Sequence, residues 1–276
     1  MSDEVETATI GRRAPSLRAG EIWASRVLTL LGYLVAIVAV GAVAAAGAPT
    51  AAALGHGILL VAILTHAGAR LERARQGSDA LARGLCGLAL VPLLALVGTA
   101  LSADLLPAAV RITLVALSAL AGALLVARVL DLTRAELGLR GGSAAAQLAV
   151  ALTGIPLGLL ALALGGARAF EPLAGASPVP LAVAIVLAAA VQELIFRGVL
   201  AAAFGQLFGR AGIAWTSALF AAAAVATGSV GLVAVLALCG LVWGWARERT
   251  GSIAGTTAAH ALVASGLALV APNVLG

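Results

Sequence analysis

Lysine is absent from this 276-residue chain, and charged residues of every kind make up only 11% of it. Soluble domains carry about 25% charged residues, so a soluble globular fold is excluded. Aromatic residues are scarce as well, at 4%, and no basic patch is interleaved with them. Nucleic-acid binding, one common reading of a chain with net charge +5, is therefore set aside. The two cysteines, Cys86 and Cys239, are isolated within apolar runs. Without a partner at disulfide or metal-ligand spacing they read as small buried hydrophobes. No polar stretch is long enough to fold as a soluble domain. Nor is there an internal repeat of the kind many transporters show.

What remains is apolar. Hydrophobic residues are 62% of the chain, and they come in runs at 27–46, 51–69, 81–103, 108–130, 145–167, 179–200, 213–227, 230–246 and 253–270. A helix crossing a bilayer needs roughly 20 such residues. The fold class expected is all-α: a polytopic transmembrane helical bundle with about eight or nine spans, the run at 213–227 being short for a crossing. All 17 basic residues are arginine. If the N-terminus is inside and the spans alternate, only Arg111 and Arg168 fall outside. That asymmetry is what the positive-inside rule predicts. The reading is a cell-membrane protein, N-terminus cytoplasmic, with the lipid bilayer as its first partner. The arginine-only, alanine-rich composition suggests a GC-rich bacterial genome, hence a bacterial plasma membrane.

Residues 1–26 form a polar tail, 27–178 an N-terminal set of transmembrane helices and 179–276 a C-terminal core set. Arg12-Arg13 leads into Ala-Pro-Ser-Leu, a poor continuation for a twin-arginine signal, and the first run is long for a signal-peptide core. The longer polar loops are 70–80, 131–143 and 168–180, and the second predicts a short interfacial helix over 131–140. The pairs Gly154–Gly158, Gly205–Gly209, Gly240–Gly244 and Gly251–Gly255 have small-xxx-small spacing and predict a tightly packed bundle.

An ionisable residue inside a membrane is expensive, at roughly 2.5–3.5 kcal/mol on insertion scales, and is a functional candidate by default. Of the 12 acidic residues, only Glu193 lies well within an apolar run. Arg197 follows it by four positions, about 40° around a helix and within reach. The pair either neutralises itself or forms a polar site facing the bundle interior. Gln192 lies about 100° from Glu193 around the helix. His260, in the last run, is able to face Glu193 across the bundle. His56 and His66, ten positions apart on one helix, point different ways and read as structural.

These pieces resemble the CPBP family of intramembrane proteases, the CAAX-processing and bacteriocin-processing (abortive infection) relatives. The resemblance covers about 179–270. The family pattern is Glu-Glu-x-x-x-Arg, then Phe-x-x-x-His, then His-x-x-x-Asn or Asp. Here Gln192-Glu193-Leu-Ile-Phe-Arg197 matches the first except at its first position. Phe220 with Ala224 matches the second without its histidine, and His260 with Ala264 matches the third without its asparagine. Glu136-Leu-Gly-Leu-Arg140 ahead of a helix is also typical of the family.

The resemblance implies glutamate-dependent peptide-bond hydrolysis inside the membrane. A water-activating Glu/His pair would stand at the positions of Gln192 and Ala224, and an oxyanion-stabilising His/Asn pair at those of His260 and Ala264. An amide cannot take a proton from water, and alanine offers no polar atom. Acid–base help contributes typically 10²–10⁴-fold and one oxyanion donor about 10²–10³. The catalytic candidates are therefore Glu193, Arg197 and His260, in a degenerate site. One His and one Glu do not make a three-ligand zinc set, so neither metal nor cofactor is expected. The first reading is a catalytically impaired or inactive family member acting as a membrane scaffold, binding or regulatory protein. Its partner would be another membrane protein or a membrane-anchored peptide. The alternatives are an active endopeptidase, with Glu193 as base and His260 polarising the carbonyl, and a small-molecule or ion transporter.

Overall fold

The computed structural model describes residues 19–73, 79–101, 106–173 and 176–270. Most of the polar tail, with Arg12, Arg13 and Arg18, lies outside the described residues, as do Arg75 and the side chain of Arg168. Among the described residues there is no strand. The helices are α1 (Ala19–Ala45), α2 (Pro49–Arg73), α3 (Ala80–Leu88), α4 (Leu90–Ala100), α5 (Ala108–Val129), α6 (Ala144–Leu152), α7 (Gly154–Ala163), α8 (Pro178–Glu193), α9 (Ala201–Phe208), α10 (Gly212–Ala222), α11 (Val230–Thr250) and α12 (Ala254–Ser265). Leu, Ala and Val dominate them. Many large apolar side chains face outward: Ile58 is 70% exposed and Val179 72%. Such a surface suits lipid and not water.

Among the described residues seven segments are long and apolar enough to cross a membrane, and Ala254–Val270 is a shorter apolar helix. One of the seven, Pro178–Thr227, contains two limbs. α8 and α9 run one way, then Gly212 folds α10 back so closely that a Cβ there would sit 2.8 Å from Phe204 O. α10 has 11 residues, about 16 Å of helix, which explains why the run at 213–227 reads as short. Two runs expected to be single helices are interrupted instead. Pro92 and Pro156 each lack the N–H that would bond four residues back and crowd that carbonyl. The breaks fall there, with α3 ending at Leu88 and α6 at Leu152.

Glycine spacing predicts close packing at some of its pairs and not at others. A Cβ on Gly154 would lie 2.5 Å from Ala259 O, joining α7 to α12, and one on Gly240 would lie 2.7 Å from Ser217 Cα, joining α11 to α10. Gly205 and Gly209 meet nothing within 4 Å. Gly209 instead supplies the positive φ (57°) of the α9–α10 turn.

Arginine-bearing helix ends gather at one end of the bundle. Arg83, at the start of α3, donates to Leu130 O beyond α5 (2.7 Å) and to Gln206 Oε1 on α9 (2.8 Å). Arg210 pairs with Glu248 at 3.1 Å. The segment 131–140 is not the short helix expected but a single closed turn. Thr133 and Glu136 cap each other: Thr133 N–H and Oγ1–H both donate to Glu136 Oε2 at 2.8 Å, and Glu136 N–H donates to Thr133 Oγ1 at 3.2 Å. Gly138, at φ 70°, ends the turn after one revolution, with Leu139 N–H bonded to Arg134 O at 2.8 Å. The Thr133 hydrogen bonds hold the Glu136 carboxyl below the usual range. The turn docks onto the α11–α12 junction: Arg247 donates to Glu136 O, Ile253 N–H to Gly138 O (2.9 Å), and Leu139 bridges Ser252.

Asp79 organises the α2–α3 junction. Its Oδ1 caps α3 by accepting from Leu81 N–H (2.8 Å) and Ala82 N–H (3.2 Å), and Arg70 donates to Oδ2 at 2.7 Å. Partial burial pushes its pKa up, but these hydrogen bonds and the Arg70 charge outweigh it, and the carboxyl is held below the ordinary range. Stability from a group whose pKa is lowered by folding is present above the unfolded pKa and is lost as pH falls through the folded one. The Asp79→Ala variant should lose about 0.5–2 kcal/mol, and Asp79→Asn less. The difference between wild type and Asp79→Asn should shrink in acid below about pH 4. Thermal unfolding of the detergent-solubilised protein between pH 3 and 7 checks both.

Candidate functional site

α8 does not end at Glu193. It widens into a π-turn over Leu194–Leu200 and then resumes as α9. Every residue of that turn is buried, and π-turns of this kind recur at functional sites. Gly198, inside the turn, faces the capped turn described above: a Cβ there would lie 3.1 Å from Leu137 O. The polar cluster is thus held from the arginine-rich end by backbone contact.

Glu193 is wholly buried. Its Oε1 accepts from Arg197 Nη1 at 3.0 Å and lies 3.1 Å from His260 Nδ1. Beside an ionised carboxylate, Nδ1 must carry the proton. Its other oxygen, Oε2, has no hydrogen-bond partner among the described residues. Thr256, one helical turn before His260, donates its hydroxyl to Ile253 O at 3.0 Å. Arg197 has two further supports. Its guanidinium lies 4.1 Å from the Phe220 ring centroid and 5.5 Å from that of Trp243, and Nη2 reaches Cys239 O at 3.5 Å. His260 is stacked on Trp243 (5.6 Å) and edge-on to Phe220 (5.4 Å). Trp243 in turn donates Nε1–H to Thr153 Oγ1 at 3.1 Å, which ties α11 to the α6–α7 break. Cation–π and stacking contacts replace the water that would otherwise solvate the charges.

The sequence candidates come together, on two sides of one wall. Gln192, Ala224, His260 and Ala264 all line a cavity of about 280 Å³. Gln192 also borders two adjoining cavities of about 240 and 380 Å³. Glu193 lines none of the three, since the next position on the helix faces about 100° away and its side chain is turned into the Arg197–His260 cluster. His260 is the exception that belongs to both: Nδ1 is engaged by Glu193, leaving Nε2 for a group in the cavity. On the other side, Arg197 borders a cavity of about 290 Å³ with Arg210, Arg247 and Glu248.

His56 and His66 do not join the site. His66 Nδ1 pairs with Tyr33 Oη across α1 and α2 at 3.2 Å, and His56 is buried elsewhere on α2. Cys86 and Cys239 are free and buried. Among the described residues no three of His, Cys, Asp or Glu gather as a metal site would require. Reasoning from sequence misses Trp243, Thr153 and Thr256. Thr256 carried a signal, four positions before His260 on one helix face. Trp243 carried only the rarity of aromatics, which does not give direction.

Residues 174–265 match the family model described as type II CAAX prenyl endopeptidase, Rce1-like. No curated protein matches the chain. No solved structure does either.

Removing one member of a buried ion pair leaves the other uncompensated and costs roughly 3–5 kcal/mol, while replacing both by apolar groups is often near neutral. Arg197→Met alone should therefore strongly lower the thermal midpoint in detergent. Glu193→Leu combined with Arg197→Met should recover most of that loss. A neutral Arg197→Met would show that the pair does not hold the bundle.

Proposed function

We propose that this chain, whose C-terminal third carries the CAAX-protease-like domain, is a non-hydrolytic member of that membrane family. It would act as a scaffold, binding or regulatory protein by holding an apolar peptide segment of a membrane partner. One observation carries the reading: the cavity of about 280 Å³ offers Gln192, Ala224 and Ala264 where hydrolysis needs a base, its helper and an oxyanion donor. An amide and two methyl groups cannot take a proton from water. His260 Nε2 remains as a hydrogen-bond acceptor toward a peptide N–H placed in the cavity, sufficient for orientation but without a nucleophile. The gathering of arginines at one end of the bundle supports a cytoplasmic N-terminus, and the composition supports a bacterial plasma membrane.

Glu193 Oε2 favours a second reading. A buried carboxylate oxygen without a partner among the described residues would serve as a base if Glu193 turned toward the cavity. In that reading Glu193 activates water and His260 polarises the carbonyl.

The purified protein, incubated in proteoliposomes with a membrane-anchored peptide, should retain the peptide and yield no new termini by mass spectrometry. Introducing Gln192→Glu, Ala224→His and Ala264→Asn together should raise cleavage by about 10²-fold or more above background. Wild-type cleavage abolished by His260→Ala would refute the non-hydrolytic reading. If Glu193→Gln abolished it too, the second reading would stand.

A further inference from the structure

A cavity of about 730 Å³ lies apart from the Glu193 cluster, at the arginine-rich end, and no step above uses it. Its walls come from α5, α6, α8 and the start of α12, and its rim from the 138–142 loop. Leu120, Leu187 and Val191 give it an apolar interior. Its volume falls within the roughly 300–1,000 Å³ of sites for small ligands.

Arg140 and Gln147 place nitrogen donors on this mostly apolar space, beside the hydroxyls of Ser252 and Thr257. Arg140 is exposed at the rim. Gln147 stands in the wall, and its orientation is determined: Oε1 accepts from Gly255 N–H at 2.6 Å, so the other amide atom must be the NH₂ group. That Nε2 is buried without a hydrogen-bond partner among the described residues, an arrangement costly enough to call for one. No carboxylate lines the cavity. A guanidinium and an unsatisfied amide donor at one end of an apolar slot complement an amphiphile with an anionic head and hydrocarbon tails. At the arginine-rich end of a membrane bundle, basic pockets between helices are suited to anionic lipid headgroups.

We propose that this cavity is a specific site for an anionic phospholipid, its phosphate held by Arg140 and Gln147 Nε2 and an acyl chain lying between α5 and α8. The site is independent of the non-hydrolytic reading, and its test involves no peptide.

The experiment is native mass spectrometry of the full-length protein, delipidated in detergent and titrated with phosphatidylglycerol or phosphatidylcholine. One phosphatidylglycerol should bind per chain, about tenfold tighter than phosphatidylcholine. Arg140→Gln should remove that preference. Gln147→Glu keeps the acceptor for Gly255 N–H, so the fold is preserved, and replaces the donor by a repelling carboxylate; it should weaken phosphatidylglycerol binding at least as much. Phosphatidylcholine binding should be unchanged in both. Inorganic phosphate at millimolar concentration should not displace the lipid. Equal binding of the two lipids, a preference that survives both substitutions, or displacement by phosphate alone would overturn the proposal.

Discussion

A carboxylate enclosed in an apolar helical bundle has no water to share its charge, so its neutralisation must be built into the structure. Here a single oxygen, Glu193 Oε1, receives both Arg197 and His260. Neither donor would be tolerable at that depth without further support. Arg197 obtains it from the Phe220 face and the Cys239 carbonyl, and His260 from Trp243 and Phe220. Five elements are thereby committed to one point: α8, the π-turn, α10, α11 and α12. Desolvation of the pair costs several kcal/mol per ion before any attraction is counted, so the geometry tolerates little slack.

The rest of the C-terminal architecture follows from keeping that point in register. The π-turn over Leu194–Leu200 carries Arg197 one turn beyond Glu193, and Gly198 lets the capped Thr133–Leu139 turn press on it through backbone atoms alone. The same turn is bonded to Arg247 and Ile253, at the junction that starts α12 and so sets the height of His260. Gly154 against Ala259 sets the lateral position of α12, one residue from His260. A membrane offers no hydrophobic force to press helices together. The contacts that do so are close backbone approaches and the polar network at the centre.

Much of this was legible in the residues, and what was not has physical reasons. A single glutamate in an apolar run, an arginine four positions on and a histidine three runs later sufficed to name the cluster, because intramembrane charges are too costly to be incidental. Apolar run lengths located the helices. Pro92 and Pro156 marked the two interruptions, although the runs containing them read as continuous. The π-turn was not legible, since no residue type signals an i→i+5 bond. Nor was the division of the glycine pairs, because spacing does not say whether a neighbouring helix lies against that face: Gly154 and Gly240 meet one and Gly205 does not. The segment 131–140 reads as a short helix in sequence, and it is Gly138, at a positive φ that composition does not reveal, that stops it after one turn.

The division between retained and replaced site residues coincides with a division of physical roles. Glu193, Arg197 and His260 bond to one another, so any one of them lost leaves a buried group unpaired. Gln192, Ala224 and Ala264 line a cavity, where a change alters what the cavity does to its contents without orphaning a buried charge. Stability alone is thus enough to keep the first three in place, whatever chemistry the second three do or do not support. The presence of a glutamate, an arginine and a histidine bonded to one another therefore speaks to how the bundle is held together. Whether it cuts a peptide bond is decided on the other side of the wall, by side chains that touch the cavity.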